Sequence, residues 1–190
     1  MRIISGKKRG ALLAVPEGLS VRPTADRTRE GLFNLLTGGR YGKPLEARVI
    51  ADVFAGSGSM GLEAWSRGAM QVVFIENGED AFAALEGNIA KLGCGDAVRA
   101  LRRDATRRLA WPAAPAGLVF LDPPWRKHDA DPDLAGQALE NLLAAGAIAD
   151  DALISVEHDH RRLPELPAAM THLETRRWGK SACSLYRHAA

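Results

Sequence analysis

The sequence predicts an α/β fold: a seven-stranded, mainly parallel sheet with its last strand antiparallel and helices on both faces. Three observations carry this. Apolar runs too short for helices alternate with amphipathic stretches of helical period, the signature of βαβ units. Glycines close the amphipathic stretches. Right-handed crossovers between such parallel strands place helices on both sides.

The elements follow in order. "RIISG" and "ALLAVP" read as two short strands of a hairpin around a basic turn. "TADRTREGLFNLLTGG" reads as a helix with Thr24 as N-cap and an apolar face of Leu32, Phe33, Leu35 and Leu36, ended by Gly38 and Gly39. "RVIADVFAG" is a buried strand entering a glycine turn, and "SMGLEAWSRG" a helix ending at Gly68. "MQVVFIE" is the second buried strand. "EDAFAALEGNIAKLG" is a helix with Phe82, Leu85, Ile89 and Leu92 on one face. "AVRALRRD" and "GLVFLD" are the third and fourth strands. "LAGQALENLLAAG" is a helix, "ALISVEHD" the fifth strand, and "THLETRRWGKSACSLYRH" two strands around Gly179.

The chain has 190 residues, 46% hydrophobic and 25% charged, which suits one globular core. A basic extension over residues 1–40 precedes the main domain at 41–190. Cys94 and Cys183 form no CxxC pair and the histidines show no ligand spacing, so no metal site is expected. Surface positions are expected for the histidines and packing roles for Trp65 and Trp111. The start lacks a signal-peptide core, and no apolar run approaches a membrane span. A cytoplasmic monomer without a membrane partner is expected. Net charge is +2, yet residues 1–29 hold seven basic residues against Glu17 and Asp26. That asymmetry points to an anionic partner, or to a solvated arm.

Function is expected at the carboxyl ends of the strands. Gly56, Gly58 and Gly61 form G-x-G-x-x-G between a strand and a helix. Asp52, Glu76, Asp104 and Asp122 put a carboxylate on four successive strands. An acid ending the second strand can accept from both ribose hydroxyls. A pyrophosphate would avoid such a rim, whereas the sulfonium of S-adenosylmethionine suits it. "DPPW" adds a reason to expect methyl transfer to a planar amine. The Asp122 carboxylate and Pro123 carbonyl can accept the two amine N–H bonds and draw its lone pair out of the ring. The prolines hold those acceptors fixed, and Trp125 can stack on a base.

These residues resemble a known family. "DVFAGSGSMGLEA", "FIE" and "FLDPPW" resemble class I S-adenosylmethionine-dependent amino-methyltransferases with a Rossmann-like fold. With "RIISGKKRGALLAVP" and "RPTADRTREGLFNLL" they resemble the RsmD family. The resemblance implies methylation of the exocyclic N2 of one guanine in 16S ribosomal RNA, within an assembling small (30S) subunit. It implies catalytic roles for Asp122, Pro123, Pro124 and Trp125. It implies cofactor contacts at Asp52, Ala55, Gly56, Ser57, Gly58, Glu76, Asn77, Asp104, Ala105 and Asp122. It implies RNA contacts at Arg2, Lys7, Lys8, Arg9, Arg22, Arg27 and Arg29.

Two positions depart from that pattern. Trp125 stands where Phe or Tyr is usual. Gly31 stands inside a helix, where it should cost up to about 1 kcal/mol against alanine. Arg99, Arg102, Arg103, Arg107 and Arg108 flank Asp104 and form a solvated face or more RNA surface. An amino-methyltransferase of DNA adenine or protein glutamine, and a nucleotide- or RNA-binding module without catalysis, remain alternatives.

Overall fold

The computed structural model describes residues 1–16, 23–46, 49–126, 128 and 130–189. Seven strands form one sheet in the order β3-β2-β1-β4-β5-β7-β6. They are β1 (Val49–Val53), β2 (Gln71–Glu76), β3 (Val98–Arg102), β4 (Ala116–Leu121), β5 (Ile148–Asp159), β6 (Met170–Trp178) and β7 (Ser181–His188). β1 to β5 are parallel neighbours, and β7 runs antiparallel between β5 and β6. Strand order reverses between β1 and β4, which opens the crevice where such sheets take ligands.

Among the described residues, four helices cover the sheet: α1 (Pro23–Thr37), α2 (Ser59–Ser66), α3 (Glu79–Leu92) and α4 (Leu134–Ala144). One face packs α1, α2 and α3 through Phe33, Leu36, Leu62 and Leu85 against Phe74, Phe120 and Leu185. The other packs α4 through Ala138, Leu139 and Leu142, with Leu109 of the long β3–β4 segment, against Val73, Val119 and Ile154. The central strands β1, β2 and β4 are almost wholly apolar because both faces are covered, whereas β3 and β6 at the sheet edges carry exposed charges. α1 begins at Pro23, so Thr24 lies inside the helix and is not its N-cap. Proline suits that first position because its missing N–H would have no helical acceptor there. α3 closes as expected on Gly93, at φ 66°.

The N-terminal hairpin forms a single antiparallel bridge, Arg2 to Leu12, rather than two extended strands. Its backbone turns instead to the helices. The fully buried carboxylate of Glu63 in α2 accepts from the amides of Ile4 (2.7 Å) and Ser5 (3.0 Å) and from Arg67 Nε (2.6 Å). Buried charge of this kind persists only when so partnered. Asn88 of α3 accepts from the Ala14 amide and donates to the Ala14 carbonyl and to the Ser57 carbonyl. Ile3 and Leu13 join the same core as α1, α2 and α3.

Gly31 has a packing reason. A Cβ there would fall 2.6 Å from the Trp178 ring. The glycine lets the indole at the end of β6 lie directly on the α1 backbone, which offsets its poor helix propensity.

Candidate active site

Asp52 is the next-to-last residue of β1, and it does not open into the crevice. It is 2% exposed, and its Oδ2 accepts the Gly61 amide over 2.7 Å. It therefore satisfies an orphan amide in the first turn of α2. Burial pushes its pKa up to about 7 against the pull of the Gly61 bond, and Glu76 adds to the rise. The expected rim of four open carboxylates thus has one buried member. The three outward tips are Glu76 and Asp104, both half-buried, and Asp122, exposed.

The glycines divide the work. Gly56, at φ 56°, has nothing within 4 Å of where a Cβ would stand, so its backbone faces open space. At Gly58, with φ 83°, a Cβ would lie 2.4 Å from Leu85 Cδ1; at Gly61 it would lie 2.4 Å from Phe74 Cε1. Gly56 leaves the loop backbone open, while Gly58 and Gly61 let helices approach the sheet. Glu76 holds this loop: one oxygen accepts from Gly56 and the other from Gly78, each over 2.7 Å. Ala55 and Ser57 are buried in the same loop, and Asn77 is exposed beyond β2. Asp104 accepts from the amide (2.9 Å) and hydroxyl (2.7 Å) of Thr106, and these bonds lower its pKa. Ala105 is buried beneath it.

The Asp122 amide donates to the Val53 carbonyl over 3.3 Å, which pins the end of β4 to the end of β1. Asp122 keeps solvent contact at the crevice mouth. Protein crowded around its carboxylate strips water from the charge, and Glu157 and Asp52 repel it. Its pKa is raised well above the ordinary carboxylate range. Pro123 is buried, Pro124 exposed and Trp125 half-buried. All three line a recess with Val156, Glu157 and Leu163.

Two residues here escaped the sequence reading. Glu157 ends the apolar stretch of β5 as Asp122 ends that of β4, so the strand-tip rule could have found it. Phe54, straight after β1, takes φ 61°, a region disfavoured for a bulky side chain. No sequence signal marks it, and such outliers cluster at functional sites.

The basic residues do not share one surface. Lys7 donates its amide to the Ser66 carbonyl (2.8 Å), and Lys8 donates to Ser66 Oγ (3.0 Å). The turn carrying Lys7, Lys8 and Arg9 thus sits at the carboxyl end of α2. The carboxyl edge of the sheet is at the other end of that helix, about 12 Å away along its axis. Lys7 Nζ also lies 3.7 Å over the Trp65 ring, and Trp65 is buried as expected. Arg29 is only 3% exposed and donates to the Arg2 carbonyl over 2.8 Å. It ties α1 to the hairpin and is no surface contact. Arg2, Lys7, Lys8, Arg9 and Arg27 are exposed; Arg22 lies outside the described residues. Arg102 pairs with Glu79 and Arg107 with Asp104, and both are solvated.

His158 and His188 are buried rather than superficial. His158 bonds Ser184 Oγ (2.8 Å) and the Asp159 carbonyl (2.9 Å) inside the β5–β7 pair. Trp111 donates Nε1 to the Ala114 carbonyl and packs on the α4 face.

A family model described as "Conserved hypothetical protein 95" matches residues 1–187. Ribosomal RNA small subunit methyltransferase D of Escherichia coli (strain K12) is 38% identical over 196 residues, covering 100% of this chain and 91% of that protein. The chain belongs to the RsmD family. The enzyme of that name from Haemophilus influenzae is 32% identical to this RsmD-family chain over 191 residues, covering 99% of it and 94% of the relative. The solved structure of yhhF from Escherichia coli superposes with a TM-score of 0.81 at 38% identity, covering 100% and 98% of the two chains. N-methyltransferase NodS from Bradyrhizobium japonicum WM9 shares the fold alone, at 12% identity and a TM-score of 0.62. This RsmD-family protein is a methyltransferase with the Rossmann-like class I fold, and the family implies S-adenosylmethionine as methyl donor. The site suits that group: carboxylates fit a sulfonium and ribose hydroxyls, and the Gly56 backbone faces open space.

Proposed function

We propose that the chain methylates the exocyclic N2 amine of a guanine in 16S ribosomal RNA, using S-adenosylmethionine, and meets it in an assembling small subunit. One observation carries the chemistry. An exposed carboxylate and a rigid proline pair stand at the crevice between β1 and β4, beside a half-buried tryptophan. The relatives named for small-subunit ribosomal RNA support the choice of substrate.

S-adenosylmethionine supplies an electrophilic methyl on a cationic sulfur. Glu76 would accept from its ribose, Asp104 would face the adenine with Ala105 beneath, and the Gly56 loop would hold the methionine part. Asn77 would line the adenosine and Ser57 would stay with the loop. Asp122 and the Pro123 carbonyl would accept the amine N–H bonds and turn the nitrogen lone pair toward the donor methyl; as the N–C bond formed and the S–C bond broke to give S-adenosylhomocysteine, Asp122 would take the surplus amine proton. Because these acceptors are already in place, little reorganisation is needed during the reaction. Trp125 would stack on the base. Arg2, Lys7, Lys8, Arg9 and Arg27 would meet RNA phosphates, and the turn carrying Lys7, Lys8 and Arg9 would do so well away from the target base.

Tritiated S-adenosylmethionine offered to small-subunit particles, naked 16S RNA and duplex DNA tests the reading. N2-methylguanosine in nucleoside digests of the particle is the expected outcome. Label in DNA, or on adenine, would overturn it.

A further inference from the structure

We infer that Glu157 selects the base, accepting the N1–H of guanine beside the amine held by Asp122. The inference rests on the guanine reading above. Leu121 of β4 stands in register with Val156 of β5. The next residues, Asp122 and Glu157, therefore leave neighbouring parallel strands side by side, at a strand spacing of about 4.8 Å. Glu157 lines the same recess as Pro123, Pro124 and Trp125. Ser181 Oγ donates to its Oε1 over 2.6 Å, which fixes the carboxylate. Its charge contributes to the raised pKa of Asp122, in keeping with that proximity.

The Watson–Crick edge of guanine presents an N1–H donor next to its amine. Adenine presents a bare N1 acceptor there. An ionised carboxylate only accepts, so it pairs with the first and repels the second. Asp122 and the Pro123 carbonyl take the two amine hydrogens, and N1–H is the donor that remains. Asp159 also lines the recess, but it is committed to Arg161 through Nε (3.0 Å), a terminal nitrogen (2.6 Å) and the backbone amide (3.0 Å). Sites built around a buried hydrogen bond discriminate far more sharply than apolar pockets do.

The test uses the full-length enzyme and substrate RNA carrying guanine or 2-aminopurine at the methylated position. 2-Aminopurine keeps the amine and lacks N1–H. Wild type should favour guanine by about tenfold or more in kcat/KM. Glu157→Gln, whose amide can donate to N1, should bring the ratio near one or invert it while the Kd for S-adenosylmethionine holds. Glu157→Asp should lose more activity on guanine than on 2-aminopurine. An unchanged ratio in both variants, or a wild type indifferent to the two bases, would overturn the inference. Wild type that methylates both purines at another atom would instead remove the guanine-N2 reading, and this inference with it.

Discussion

The Glu76 carboxylate binds the Gly56 amide with one oxygen and the Gly78 amide with the other, at 2.7 Å each. One side chain at the end of β2 thus sets the loop after β1 and the entry to α3. Glu76→Ala leaves two amides without their acceptor and frees the loop. Calorimetry should show affinity for S-adenosylmethionine falling at least about tenfold, by the scale of a lost charged hydrogen bond. Glu76→Asp should fall between. Unchanged affinity in both variants would remove this carboxylate from the cofactor site.

Asp122→Ala should lower kcat by about two to three orders of magnitude, the usual cost of a preorganised polar contact. Its Kd for S-adenosylmethionine should stay within about threefold of wild type. The pKa of Asp122 is raised, and a protonated carboxyl no longer offers two acceptors to the amine. In the wild type, kcat/KM should therefore fall as pH drops through a value above the ordinary carboxylate range. The variant's residual activity should lack that limb.

Asp52 makes stability depend on pH in the opposite sense to a salt-bridged acid. Burial pushes its pKa up to about 7 in the fold from the ordinary 3.8. Between those values the folded state binds more protons than the unfolded one, so stability falls as pH rises through that window. Asp52→Asn can keep the Gly61 bond and should flatten the curve. Thermal melts from pH 4 to 8 would show it; equal slopes in both proteins would contradict the burial argument.

Lys8→Glu with Arg9→Glu should weaken RNA binding and reduce the slope of log K against log salt by about one per lost phosphate contact. Cofactor affinity should not move, because the turn lies at the far end of α2 from the crevice. Filter binding at several salt concentrations reads this directly. An unaltered slope would take the turn out of the RNA surface.

The fold was legible because short apolar runs and glycine stops are local signals. So were the strand-end acids Glu76, Asp104 and Asp122, which the structure sets along one edge of the sheet. Which acid turns inward is a tertiary matter: nothing local says that the Gly61 amide will claim Asp52. Arg29 shows the same limit, since charge alone does not tell a surface cation from one buried and tied to the Arg2 carbonyl. Glu157 is marked only by the end of the apolar run, because β5 itself continues to Asp159. The hairpin keeps one bridge, flanked by the Ile3 amide on the Ala11 carbonyl and the Leu13 amide on the Met1 carbonyl, while Glu63 and Asn88 take the Ile4, Ser5 and Ala14 amides.

Gly31 and Trp178 touch across 147 residues of sequence, with no room for a methyl group between them. Gly31→Ala should destabilise by about 1–3 kcal/mol despite better helix propensity, and a smaller residue at 178 should restore the loss. The two sites therefore have to change together. Across related genes, a bulkier residue at one should arrive only in lineages that have already given up the indole at the other.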